Sequence, residues 1–299
     1  MVKKYLALGF VAGIFVALIA VWVSPPQEDF HLENPYWNGL STFTSLFDAT
    51  PLQSVDELTM YDASSSALLI IGPSLSFSQE FAYAVKRFLD SGGLLVVADD
   101  FGSANNLLDK LDLKIRISRD LLLDPLMKGK SRELPVAFNA QGGGDVEKEP
   151  YEEVLLNMAS TVITENSNCK VVLASSEFSF LDLNGNRELD EEEPRGPFSV
   201  ACVVELDGGG RVVVISDPSI FINSMILERD NVEFIRAVIE NRTVLIDCSH
   251  WAMSPSSLLR SWINSALQVF SSYELRYVIP IAIALALWKL KSPRRKTKG

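Results

Sequence analysis

Residues Tyr5–Val23, YLALGFVAGIFVALIAVWV, run for nineteen positions without a charge. A helix rising ~1.5 Å per residue would carry them about 28 Å, close to the thickness of bilayer hydrocarbon. Lys3 and Lys4 come first, so the positive-inside rule expects residues 1–4 in the cytoplasm and 5–23 as a transmembrane helix. A cleaved signal peptide is the other reading. Its apolar core would be long, and the bulky Val21-Trp22-Val23 stands where small residues are needed. On both readings the chain that follows is exported.

The carboxyl end repeats the theme in shorter form. Tyr277–Trp288, YVIPIAIALALW, is a dozen uncharged residues, fewer than the ~20 of a full span. Arg276 and Lys289 flank it and can snorkel, while Tyr277 and Trp288 suit the interfaces. We expect 277–290 to be a second transmembrane helix and 291–299, KSPRRKTKG, to be a basic cytoplasmic tail. A buried or interfacial helix is the competing reading.

Charge sorts with this division. Of 27 Lys and Arg, two precede the first run and seven lie from Arg276 onward. That leaves 18 basic residues against all 38 acidic ones between Ser24 and Leu275, a formal charge of −20. So acidic a domain repels phosphate backbones, which disfavours nucleic acid as a partner, and it tolerates cations. The three cysteines, Cys169, Cys202 and Cys248, make no CxxC and no metal cluster with His31 and His250. Their number permits one internal disulfide at most, and small buried residues are the plainer expectation.

Residues 24–40 hold prolines and little periodicity, and are expected to be a juxtamembrane linker to a domain over 41–265. Ala67–Ile71 and Leu94–Ala98 are short apolar runs of the kind buried strands use. Between them Phe81, Val85, Phe88 and Leu89 fall at helical spacing, with Ser78 as cap and Gly92-Gly93 as stop. A short helix near Ser103–Leu111 follows. Strand, helix, strand, helix at this pitch predicts an α/β fold with a mostly parallel sheet. Leu122–Ala159, with Gly142-Gly143-Gly144, looks like an excursion from the sheet. Strands return at Lys170–Ala174, Phe198–Leu206, Arg211–Ser216 and Thr243–Asp247, with helices near Ile220–Leu227 and Asn231–Asn241. Gly208-Gly209-Gly210 predicts a hairpin, hence a mixed sheet with parallel strands at its centre.

Asp182–Glu193, DLNGNRELDEEE, places oxygen-bearing side chains at loop positions one, three, five, seven, nine and twelve: Asp182, Asn184, Asn186, Glu188, Asp190 and Glu193. A hard cation wants six to eight oxygens around a tight turn, so we expect a structural Ca²⁺ site. Arg187 stands at position six, where glycine is usual, and no helix is evident before the loop. An acidic solvated turn is the alternative.

Open parallel sheets bind ligands outside the carboxyl ends of their strands. The candidates there are Ser74 (in Gly72-Pro73-Ser74), Asp99, Asp100, Asp217 and Ser219, all residue types that also cap helices and make turns. Cys248 and His250 are two apart and would share a face of an extended strand, but neither G-x-S-x-G nor G-x-C-x-G occurs. No catalytic residue is assigned.

The segment LLIIGPSLSFSQEFAYAVKRFLDSGGLLVVADDFGSANNLL resembles the core of the domain of unknown function family 4350. GGGRVVVISDPSIFINSMILERDNVEFIRAVI, with Ser216-Asp217-Pro218, Asn223 and Asn231, resembles that family's second block, and NPYWNGLSTF is similar to archaeal members. The resemblance implies a flavodoxin-like α/β sandwich, related to class I glutamine amidotransferases and to GldG-like and intraflagellar-transport domains, bracketed by membrane helices. It also implies that the amidotransferase nucleophile is absent. The expectation is therefore a non-catalytic binding or scaffold domain on the outer face of the cell membrane. It would meet a protein, peptide or glycan partner, with both termini cytoplasmic. Two alternatives stay open: an envelope hydrolase using a metal or Cys248 with His250, and a subunit of an envelope or export complex.

Overall fold

The computed structural model describes residues 2–140, 150–164 and 169–271. The glycine triplet at 142–144, the expected second span at 277–290 and the basic tail lie outside them. The chain forms two units, one from residues 27–252 and one from the two ends.

Among its described residues the 27–252 unit has thirteen strands: β1 (Thr50–Leu52), β2 (Ser66–Ile71), β3 (Leu94–Ala98), β4 (Ile115–Ile117), β5 (Leu121–Leu123), β6 (Val136–Asn139), β7 (Glu153–Leu155), β8 (Val162–Thr164), β9 (Lys170–Ser175), β10 (Phe180–Asp182), β11 (Ser199–Glu205), β12 (Arg211–Ile215) and β13 (Thr243–Asp247). Nine of them form one sheet in the order β1-β13-β2-β3-β12-β11-β9-β6-β7. The first five run parallel. From β12 to β7 every pairing is antiparallel. The parallel strands therefore occupy one half of the sheet, not its centre. The hairpin at Gly208–Gly210 reverses the direction: Leu206 N–H donates to the Gly210 carbonyl, and Gly209 takes a φ of +82°, which a side chain would resist. The expected excursion is also corrected, because β6 and β7 extend the antiparallel half.

Helices cover both faces, as runs such as LLII and LLVV require if neither face is to meet water. In chain order α1 is Val2–Val23, α2 Ser41–Phe47, α3 Gln79–Asp90, α4 Asn105–Lys110, α5 Asn231–Ile239 and α6 Pro255–Ser271. Helix α3 buries Phe81, Ala82, Val85, Phe88 and Leu89, and its N-terminus is capped where Ser78 Oγ accepts from Phe81 N–H. It packs with α4 on one face of the sheet; α2 and α5 pack on the other. The expected helix at Ile220–Leu227 is instead a 3-10 turn, Pro218–Phe221, followed by tight turns. There Asn223 is drawn off to the segment before α2, accepting from Thr42 N–H and donating to the Asn34 and Tyr36 carbonyls.

Residues 27–40 are no linker. Leu32 and Leu40 join the core, and Asn34 is fully buried, donating to the Glu28 carbonyl and to Asn38. At the far edge, side chains at the start of α5 clamp β7. Asn231 accepts from Leu155 N–H and donates to its carbonyl, and Asp230 accepts from Glu152 and Glu153 N–H. Cys202 on β11 is bonded to Cys169, which just precedes β9. The expectation of three small buried thiols is corrected for this pair.

The second unit contains α1 and α6. Trp22 Nε1 donates to Asn264 Oδ1, and Arg260 donates to the Ser24 carbonyl. Helix α1 runs through the whole uncharged stretch and exposes Phe10, Val11, Phe15 and Val16. Side chains of α1 are described at Val2, Tyr5 and Leu6 and from Gly9 onward. Among the described residues no helix is long and apolar enough to cross a membrane. The domain expected to reach residue 265 ends at Ala252, with α6 in the unit of the ends.

Candidate functional site

Strands β3 and β12 lie side by side and parallel, yet the chain leaves them toward opposite faces. After β3 it enters α4, whose Ala104, Leu107 and Leu108 belong to one core cluster. After β12 it enters the 218–221 turn and α5, whose Phe221 and Phe234 belong to the other. Such a parting of connections is where open α/β sheets form a cleft. Asp99, Asp100 and Asp217 meet there.

Two of these carboxylates serve the backbone. Asp99, 1% exposed, accepts from Phe101 and Ala104 N–H and so starts α4. Asp217, fully buried, accepts from Ser219 N–H and from Asn157 N–H. Burial raises the Asp99 carboxyl above its ordinary range and takes Asp217 up to about 7. Asp100 is different. Burial, then the charges of Asp217 and Asp99, push it up to about 8, and among the described residues no basic side chain offsets them. Ser219 supplies its N–H to Asp217 and is buried. Ser74 is a tie: its Oγ accepts from Ala252 N–H at 2.7 Å and donates to the His250 carbonyl. Asp100 accepts only from the adjacent backbone, its own N–H and that of Phe101, and of the three carboxylates it is the least enclosed.

Further along the same edge, at the end of β13, is an arrangement that the residue-type reasoning did not assign. His250 Nδ1 stands 2.6 Å from Asp247 Oδ2, and Asp247 is 3% exposed. Ser249 Oγ donates to the other carboxylate oxygen at 2.6 Å. The imidazole lies stacked on Phe77 at 4.0 Å and edge-on to Phe81 at 4.5 Å. Its carbonyl accepts from Ser74 and Leu75 N–H, which joins the end of β13 to the loop after β2. In the neutral ring, with Nδ1–H donating to the carboxylate, Nε2 is left as an acceptor. The spacing Asp247-x-x-His250 was the available signal.

His250 lines a cavity of ≈ 610 Å³ together with Ser54, Asp56, Ser78, Glu80 and Arg87. A smaller hollow of ≈ 200 Å³ shares Val55, Asp56, Ala84 and Arg87 with it, so one groove follows α3. Cys248 takes no part. Its thiol donates to the Ile246 carbonyl and packs on the α5 face, whereas His250 sits with Phe77 and Phe81 on the α3 face. The two do not share a face as expected, because the strand ends at Asp247. Burial and then Asp247 push the thiol up to about 12, far from a nucleophilic thiolate.

The 182–193 loop closes on itself. Asp182 accepts from Gly185 and Arg187 N–H, and Glu193 from Leu183 and Asp190 N–H, both carboxylates being 6% exposed. Asn184 and Asn186 donate to Asp190, while Glu188 pairs with Arg132. Gly185 and Arg187 both adopt positive φ, which explains how the turn forms without a glycine at position six. Among the described residues no group of three or more His, Cys, Asp or Glu is placed to hold a metal.

These features define an α/β domain with a half-parallel, half-antiparallel sheet and a polar groove at the carboxyl ends of its parallel strands. Residues 33–239 match a family described as Domain of unknown function (DUF4350), and the chain belongs to that family. No curated protein matches the sequence. Among solved structures the chain is similar to the mmIFT52 N-terminal domain, at 15% identity, covering 62% of this chain and 78% of that one with a TM-score of 0.46. A cytoplasmic protein from Salmonella typhimurium LT2 matches at 14% identity over 64% and 77% of the two chains, with a TM-score of 0.37. The β-galactosidase from Bacillus circulans sp. alkalophilus matches at 14% identity, over 56% of this chain but 23% of its own, with a TM-score of 0.34. All three scores fall below 0.5, so none bears on what this chain does.

Proposed function

We propose that this protein is a membrane-anchored binding domain held outside the cytoplasm, presenting the carboxyl edge of its sheet to a partner. The carrying observation is the Cys169–Cys202 disulfide, since such bonds persist in oxidising compartments and are rare in the cytosol. The charge partition of the sequence and the apolar surface of α1 agree with it. On this reading the uncharged runs 5–23 and 277–288 hold the chain to the membrane, and both termini are cytoplasmic.

The test uses the full chain in intact cells. Protease added outside should cut residues 27–252, and alkylation without reduction should label one cysteine, Cys248, after denaturation. Reduction should raise the number to three. A domain protected from outside protease, or three thiols labelled without reduction, would refute the assignment.

We further propose that the 182–193 loop takes Ca²⁺ as a structural staple. Its support is the alternation of oxygen-bearing side chains from Asp182 to Glu193, which Ca²⁺ would draw together from the loop's present hydrogen bonds. Titration calorimetry of Ca²⁺ should show binding heat for the wild type that Asp182→Ala lacks. Equal heats remove the proposal.

A further inference from the structure

We propose that the groove along α3 is a binding site for a polyhydroxylated monocarboxylate, the chemistry of a sugar acid, with His250 and Arg87 as its two recognition groups. The argument begins with the imidazole. Nδ1 is held by Asp247, one ring face is covered by Phe77, and Phe81 abuts it edge-on. The Nε2 edge is what remains. Among the described residues that nitrogen makes no hydrogen bond, and it is not sealed from solvent. A buried carboxylate, a flanking hydroxyl and two aromatic rings thus orient one acceptor at a cavity wall. The cavity, ≈ 610 Å³, has the size of a small-molecule site.

The rest of the lining sets the ligand class. Ser54 Oγ and Ser78 Oγ each accept a backbone N–H, from Asp56 and Phe81, which leaves their hydroxyl protons to donate. Donors at Ser54 and Ser78 facing an acceptor at His250 match hydroxyl groups, which both give and take hydrogen bonds. Arg87 is the cation. It lines both parts of the groove, and among the described residues its guanidinium has neither hydrogen bond nor ion pair. A guanidinium selects a planar anion, and a carboxylate matches its fork. Asp56 and Glu80 share the wall and would repel a phosphate dianion more than a single carboxylate.

D-Glucuronate is the probe, added to the full chain in detergent with the histidine imidazoles labelled with ¹⁵N. Saturable binding should shift the His250 Nε2 resonance. Glucose and glucose 6-phosphate should bind more weakly than glucuronate. Arg87→Gln, a surface change that leaves the core intact, should weaken glucuronate about tenfold or more, as expected for loss of a charge-assisted pair. His250→Gln should abolish the interaction at unchanged melting temperature; if it unfolds, the Nε2 shift in the wild type and the Arg87→Gln affinity decide. Absence of saturation at tens of millimolar, an unmoved Nε2 resonance, glucose or its phosphate binding as well as glucuronate, or unchanged affinity in Arg87→Gln would each overturn the proposal. None of these readouts depends on membrane orientation, so the anchoring proposal stands or falls separately.

Discussion

Asp100 shows how one side chain can set the pH response of the domain. Its carboxyl sits at about 8 and that of Asp217 at about 7, whereas an unfolded chain releases those protons near ~3.9. From about pH 4 to pH 8 the native state therefore holds protons that the unfolded state has lost, and stability falls as pH rises. The contribution is complete below the unfolded value and gone above the folded one. Melting temperature should be lower near pH 9 than near pH 5, and Asp100→Asn should raise it near pH 9 and flatten the slope. A variant that melts like the wild type at both pH values would show that the crowding at this cleft is relieved in solution. Their place just after apolar strand runs marks Asp99, Asp100 and Asp217 as strand-end candidates, and their charges do act on one another. Which of them is spent on backbone N–H groups could not be read from it, because that depends on where Ala104 and Asn157 arrive from elsewhere in the chain. His250 was equally visible, but its partner on the sequence side looked to be Cys248 when it is Asp247.

At the level of single elements, what was local was legible. Helix α3 starts at the expected cap and stops at Gly92, whose φ of +85° only glycine adopts freely. The strands on either side follow their apolar runs. What escaped was non-local. Val136–Asn139 and Glu153–Leu155 have too few residues to announce themselves, and become strands because β9 offers an edge and α5 covers the far side. The family-block asparagines have their explanation here as well. Asn231 is fully buried with three hydrogen bonds, to Leu155 N–H and to the Leu155 and Met225 carbonyls. Asn231→Ala should strand those groups and cost on the order of 3 kcal/mol. Urea unfolding of the full chain in detergent measures it; a change below about 0.5 kcal/mol would mean that water replaces the side chain.

For the molecule as a whole, the acidic middle and apolar ends gave the division into two units in outline, though the boundary moved: residues 27–40 are core, and 253–271 belong with the ends. Prolines and weak periodicity concealed the first, since burial there rests on Leu32, Asn34 and Leu40 and not on a repeating pattern. The disulfide was hidden for a similar reason. Its halves are 33 residues apart, and only the pairing of β9 with β11 brings them together. Closing a loop of that length limits the unfolded chain by about 4 kcal/mol on the entropic account.

A nine-stranded sheet has two rims, and both are shut. On one, β1 is three residues long and Pro51 has no N–H to offer a newcomer. On the other, the Asn231 and Asp230 side chains already occupy the outward hydrogen-bonding positions of β7. An incoming chain cannot prolong the sheet, so crowded copies have no ready route to stacking into fibrils. Recognition of a partner is left to side-chain surfaces, the groove along α3 among them.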